Sequence, residues 1–183
     1  MRGFKKVFLG AVLAAALALP AQAAEVALTT VGQSPDGMMV KVILKKMKVD
    51  NDYDAMMKPD ALKGQKVLLA VVGGSMKGLG AAGIDKEQEK ARGAALVDAA
   101  RAKGMKVLVL HVGGKGRRGE LSDFLATAVT PKGDAVLVVK GGNDDGFFTK
   151  LKGKNAPLTT ADSVQKLQAP LTEILAGWGV GKP

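Results

Sequence analysis

The sequence predicts an α/β protein: a three-layer, doubly wound parallel sheet, flavodoxin-like or Rossmann-like, of about five strands. Three observations predict it. Runs such as Lys66–Val72 (KVLLAVV) are continuously apolar, as strands covered on both faces are. These runs alternate with segments of helical period, the pattern of βαβ units. Each of the first four runs opens into a glycine-rich loop, as expected where a chain leaves the carboxyl end of a parallel strand.

Val26–Val31 reads as the first strand. Ser34-Pro35-Asp36 then starts a helix, with a capping hydroxyl, a proline in the first turn and an acid that complements the helix dipole. Met38, Met39, Val42, Ile43 and Met47 share one face of it and are expected to fill the core. Residues 50–64 are polar and read as irregular, with one short turn after Pro59. Lys66–Val72 is the second strand. Asp85–Lys103 is a helix with acids in its first turn and Gly104 beyond its end. Met105–Val112 is the third strand, and Leu121–Ala128 a short helix stopped by Pro131 and Gly133. Ala135–Lys140 is the fourth strand, residues 147–152 one or two helical turns, and Pro157–Thr160 a fifth strand. Ser163–Gly177 closes the chain as a helix broken or kinked at Pro170.

The N-terminus has a different character. Arg2, Lys5 and Lys6 precede the apolar run Val7–Leu19, Pro20 ends it, and Ala21-Gln22-Ala23 has the small-x-small pattern of a signal-peptidase site. The run is too short for the ~20 residues of a membrane span. Residues 1–23 are therefore expected to be a cleaved signal peptide and 24–183 a single domain, periplasmic or secreted, with no membrane anchor after processing.

Export changes the charge arithmetic. The whole chain is +10, and removing the three N-terminal cations leaves +7. The mature aromatics are Tyr53, Phe124, Phe147, Phe148 and Trp178, with no interleaving among basic residues, so nucleic acid is not an expected partner. The absence of cysteine removes disulfides, zinc knuckles and thiol nucleophiles.

The glycine excess points to a site. GQSPDG (32–37), GGSMKGLGAAG (73–83), GGKGRRG (113–119) and GGNDDG (141–146) hold 14 of the 22 glycines after residue 23. In an open parallel sheet these loops share one edge, and glycine lets backbone N–H groups approach an anion. The candidate ligand-binding residues in them are Gln33, Ser34, Gly74, Ser75, Lys77, Gly78, His111, Gly113, Gly114, Arg117, Arg118, Ser122, Asn143 and Asp144. Lys115, Lys140 and Asp162 occupy the same loops. Arginine matches carboxylate or phosphate with a planar fork, so a small anionic molecule fits the set.

Other chemistries are excluded by their motifs. Gly78–Gly83 matches GxGxxG by letter, but Ser75-Met76-Lys77 separates it from its strand, and the next strand ends near His111 where a dinucleotide site needs an acid. No Walker A sequence and no G-x-S-x-G elbow is present. Asp50, Asp52 and Asp54 begin like a calcium loop, but Ala55 and Ala61 stand where glycine and glutamate are needed. His111, the only histidine, cannot form a histidine cage; it reads as hydrogen-bonded beside its strand. No metal and no cofactor is expected.

The segments GQSPDGMMVKVILKK (32–46), VVGGSMKGLGAAGID (71–85), HVGGKGRRGELSD (111–123) and VVKGGNDDGFFTK (138–150) resemble an uncharacterised family of small secreted bacterial α/β proteins, a domain of unknown function. The resemblance implies an export signal and one α/β domain, and it carries no activity. Three readings of function stand. The first is a binding protein for a small anionic ligand. The second is an extracytoplasmic hydrolase or transferase on a phosphorylated or carboxylated substrate, with His111 or Asp144 in acid–base roles. The third is an accessory subunit that docks a partner protein through the same loops.

Overall fold

The computed structural model describes residues 24–181, so the expected signal peptide lies outside the described residues. Six parallel strands form one sheet in the order β2-β1-β3-β4-β5-β6. They are β1 Val26–Val31, β2 Asn51–Tyr53, β3 Val67–Val72, β4 Lys106–His111, β5 Ala135–Val139 and β6 Leu158–Ala161. The doubly wound class holds, with six strands instead of about five. The added strand is β2, which pairs Asn51, Asp52 and Tyr53 with Val26, Ala27 and Leu28. It lies at the sheet edge, is three residues long and is polar, which is why residues 50–64 carry no strand signal.

Every residue of β1, β3 and β5 is buried. Alternate residues serve opposite cores. On one side Val26, Leu28, Val67, Leu69, Leu108 and Leu137 pack against Val40, Leu44, Leu171 and Leu175. On the other, Ala27, Leu68, Ala70, Val107 and Val109 pack against Leu96, Val97, Leu125, Val129 and Phe148. Thus α1 (Asp36–Lys46) and the last helix cover one face, while α3 (Lys86–Ala102), α4 (Glu120–Val129) and α5 (Phe147–Leu151) cover the other. Full burial of each such leucine or valine contributes roughly 1.5–3 kcal/mol. Among the described residues no helix is long and apolar enough to cross a membrane.

Three local expectations are corrected. The core face of α1 is Val40 and Leu44, flanked by Ile43 and Met47, whereas Met38, Met39 and Val42 are exposed. Asp36 and Gly37 are themselves buried, which rotates the helix away from the methionine stripe. Within the glycine-rich segment after β3, Met76–Ala81 forms a short helix, α2, capped by Ser75 Oγ accepting from the Gly78 N–H at 3.0 Å. The last helix, α6, runs from Gln168 to Gly177 unbroken. Pro170 falls in its first turn, where an N–H has no intrahelical partner.

The Asp85 cap is the strongest local signal in the chain. Its carboxylate accepts from the Gln88 N–H at 2.7 Å while Gln88 Oε1 accepts from the Asp85 N–H at 3.0 Å.

Candidate functional site

The strand order reverses direction between β1 and β3, and the loops after β1, β3, β4 and β5 leave at the same edge. Such a switch point is where open α/β sheets hold ligands. Several candidate residues fasten these loops to one another. The Ser75 N–H donates to Gly32 O at 2.8 Å, and Gln33 and Gly74 form an isolated antiparallel bridge. Gln33, at φ +55°, donates through Nε2 to Ala55 O and to Glu89 Oε1. Gly78 is a close-approach glycine: a Cβ there would overlap the Gln33 carbonyl. Ser122 joins the next two loops, accepting from the Gly74 N–H at 2.8 Å and donating to Arg117 O at 2.7 Å.

Arg118 ties the β4 loop to the β5 loop. Its guanidinium makes two bonds to Asp123, two to Asp145 and one to Gly142 O at 2.6 Å. It also lies 4.5 Å from the centre of the Phe147 ring. These hydrogen bonds raise the Arg118 pKa further above its ordinary value, and the Asp145 carboxyl is pushed down to about 2 by the same arginine. Asn143 Oδ1 accepts from the Phe148 and Thr149 N–H groups and so starts α5.

His111 is fully buried against Phe148, with Nδ1 3.1 Å from Val72 O and Nε2 3.0 Å from Gly114 O. Both ring nitrogens face carbonyl oxygens and the ring is fully buried, so neither is open to the surface of the site. Lys77 is exposed on α2, and Asp144 lines a depression of about 570 Å³ with Lys115, Arg118 and Asp145.

Gly113, Gly114 and Arg117 instead meet in a cleft of about 640 Å³ on the α1/α6 side of this edge. Its walls are the β4 loop from Val112 to Arg117, Lys140 after β5, and Asp162–Gln165 after β6. Asp36, at the first position of α1, belongs to the same wall. Three cations, Lys115, Arg117 and Lys140, thus face two acids, Asp36 and Asp162.

Asp36 is the residue that sequence reasoning missed as a site group. Its side chain is completely buried, yet among the described residues neither carboxylate oxygen accepts a hydrogen bond. Arg117 Nε approaches Oδ1 at 3.5 Å as a loose ion pair. Beside it, the Asp36 N–H donates a long bond to Ser34 Oγ at 3.4 Å, but the cap position of α1 is Pro35 and no side chain caps the helix, contrary to the expected capping hydroxyl. The carboxylate presses on two loops: a Cβ on Gly73 would lie 2.8 Å from Oδ2, and one on Gly113 would lie 3.2 Å from it. Those glycines therefore make room for Asp36 and Arg117. In sequence, an acid in a first helical turn is ordinarily a solvated complement to the dipole, so only burial distinguishes this one. Ser163 and Gln165 carry no motif at all and enter the cleft through the course of the β6 loop.

A separate groove of about 380 Å³ lies between α1 and β2. It is mostly apolar; its charged members Lys41, Lys45, Lys48 and Asp50 are exposed, and Asn51, which also lines it, has a buried Oδ1 without a hydrogen-bond partner among the described residues. Among the described residues no cluster of three or more His, Asp or Glu is arranged to hold a metal ion.

A family model described as a domain of unknown function, DUF6305, matches residues 23–175, and the chain belongs to that family. Neither the curated proteins nor the solved structures yield a match to the chain.

Proposed function

We propose that this family member is an extracytoplasmic binding protein for a small anionic ligand, held in the cleft between the β4, β5 and β6 loops. The carrying observation is the wall in which Gly113, Gly114 and Gly116 alternate with Lys115 and Arg117 and face Lys140. Glycines let a ligand oxygen approach the main chain, and the three cations supply charge-assisted bonds of roughly 1.5–3 kcal/mol each. Arg118, by contrast, spends its donors on Asp123, Asp145 and Gly142, so its part is to hold the wall in place.

A thermal-shift screen of the purified protein against small carboxylates and phosphates tests this reading. A true ligand at a hundredfold excess over its dissociation constant stabilises by ~2.7 kcal/mol. Replacing Lys115 and Lys140 together by alanine should weaken that ligand at least about tenfold, as loss of one charge-assisted bond implies. The reading fails if no anion shifts the melting temperature, or if the double variant binds as well as the parent. It also fails if a substrate is turned over with His111 or Asp144 required, or if the loops instead retain a partner protein with no small-molecule response. Export is tested separately, by N-terminal sequencing of the processed protein, which should begin at Ala24.

A further inference from the structure

Resting on the anion-binding reading, we infer that the ligand is a hydroxylated anion, and that Asp36 is the group that recognises its hydroxyls. The inference comes from an imbalance. A buried carboxylate ordinarily accepts several hydrogen bonds, because leaving it without them is costly. Among the described residues both Asp36 oxygens lack a donor although the side chain is fully buried. Among the described residues its one neighbour of opposite charge is Arg117, at 3.5 Å and 37 % exposed. That guanidinium makes no hydrogen bond to another described residue.

The two side chains fit a ligand better than they fit each other. Arg117 lies along the cleft wall with Lys115 and Lys140, so turning its guanidinium outward brings three cations onto one anionic group. The same turn uncovers Asp36, whose two parallel acceptors suit the two donors of a vicinal diol. An ammonium group would also donate to Asp36, but it would enter a wall where cations already outnumber acids. Neutral hydroxyls carry no such penalty. The ligand class is therefore a polyol bearing a phosphate or a carboxylate, and the source of the negative charge is left to the probes.

Calorimetric titration of the whole protein with matched pairs decides it. One pair is α-glycerol phosphate against propyl phosphate; the other is glycerate against propionate. The hydroxylated member of at least one pair should bind about tenfold or more tightly, the scale of hydrogen bonds to a charged acceptor. Which pair shows the preference identifies phosphate or carboxylate as the anion. Asp36→Asn should shrink the preference, read as the affinity ratio within the pair, to about twofold or less. Asp36→Glu, which keeps the charge and displaces the oxygens, should lose the preference too, and serves if the amide variant does not fold. Equal affinity within both pairs overturns the hydroxyl inference and leaves anion binding standing. Tighter binding of phosphoethanolamine than of α-glycerol phosphate overturns it in favour of an ammonium. Failure of every anion to bind overturns both readings.

Discussion

Two buried acids, each beside an arginine, stand near the carboxyl end of β1, and they are built in opposite ways. Glu89, on α3, accepts from the Gly32 N–H at 2.7 Å, from Gln33 Nε2 at 3.0 Å and from Arg92 through both oxygens. Arg92 in turn donates to Met57 O at 2.9 Å and to Thr30 O, so the pair locks the end of β1. Asp36, on α1, accepts no hydrogen bond among the described residues and has Arg117 only as a loose neighbour. Both carboxylates are fully buried. Burial alone therefore does not separate a scaffold residue from a site residue; satisfaction of the hydrogen-bonding capacity does.

The contrast makes quantitative demands. Arg92→Ala leaves the buried Glu89 carboxylate with no counter-charge and only the Gly32 and Gln33 donors, and should cost about 3–5 kcal/mol, the penalty for breaking a buried pair from one side, measured by urea unfolding. Gly73→Ala should cost about 1–3 kcal/mol in the same assay, because the new methyl meets Ser34 Oγ at 2.7 Å and Asp36 Oδ2 at 2.8 Å. Asp36→Asn should change stability by no more than about 1 kcal/mol, since it removes a charge that no hydrogen bond compensates. A loss as large as that of Arg92→Ala would place Asp36 in the scaffold. Gly80→Ala should stabilise by about 0.4–1 kcal/mol, because the added methyl meets nothing within 4 Å in the open α2 helix.

The smallest expected effect is a pH dependence. Asp145 is lowered from 3.8 to about 2 in the folded protein by its bonds to Arg118 and to the Phe147 N–H. A depressed carboxyl contributes stability that is present above its unfolded value and is lost as pH falls through its folded value. Melting temperature should therefore decline between about pH 4 and pH 2, and Asp145→Asn should flatten that part of the curve. The carboxylate is fully exposed, so the effect is screened by salt.

These differences also mark what the amino-acid sequence can convey. Continuous runs such as Val67–Val72 announce buried parallel strands, and the Asp85–Gln88 capping box marks the start of α3. Glycine-rich segments mark the edge where the loops after β1, β3, β4 and β5 meet, because backbone congestion there is itself encoded in glycine. The three-residue strand β2 is shorter than one pattern repeat, so periodicity could not report it. In α2, Gly78 and Gly80 weaken every helical signal, and the close approach of Gln33 that demands Gly78 is a tertiary fact. For α1, methionine spacing pointed to a core face, whereas buried Asp36 and Gly37 set its rotation. Arg117 and Arg118 are adjacent and alike in sequence. Only the positions of Asp123 and Asp145 commit Arg118 to the scaffold and leave Arg117 facing the cleft.

The division between the two acid–arginine pairs is tested most directly by pairing affinity with stability in Arg117→Ala. Expected are at least about tenfold weaker binding of the anion found by screening and an unfolding free energy within about 1 kcal/mol of the parent. Removing a side chain that lines the cleft lets its water reach Asp36, whereas Arg92 is largely closed off from solvent. Unchanged affinity, or a destabilisation equal to that of Arg92→Ala, would contradict that division.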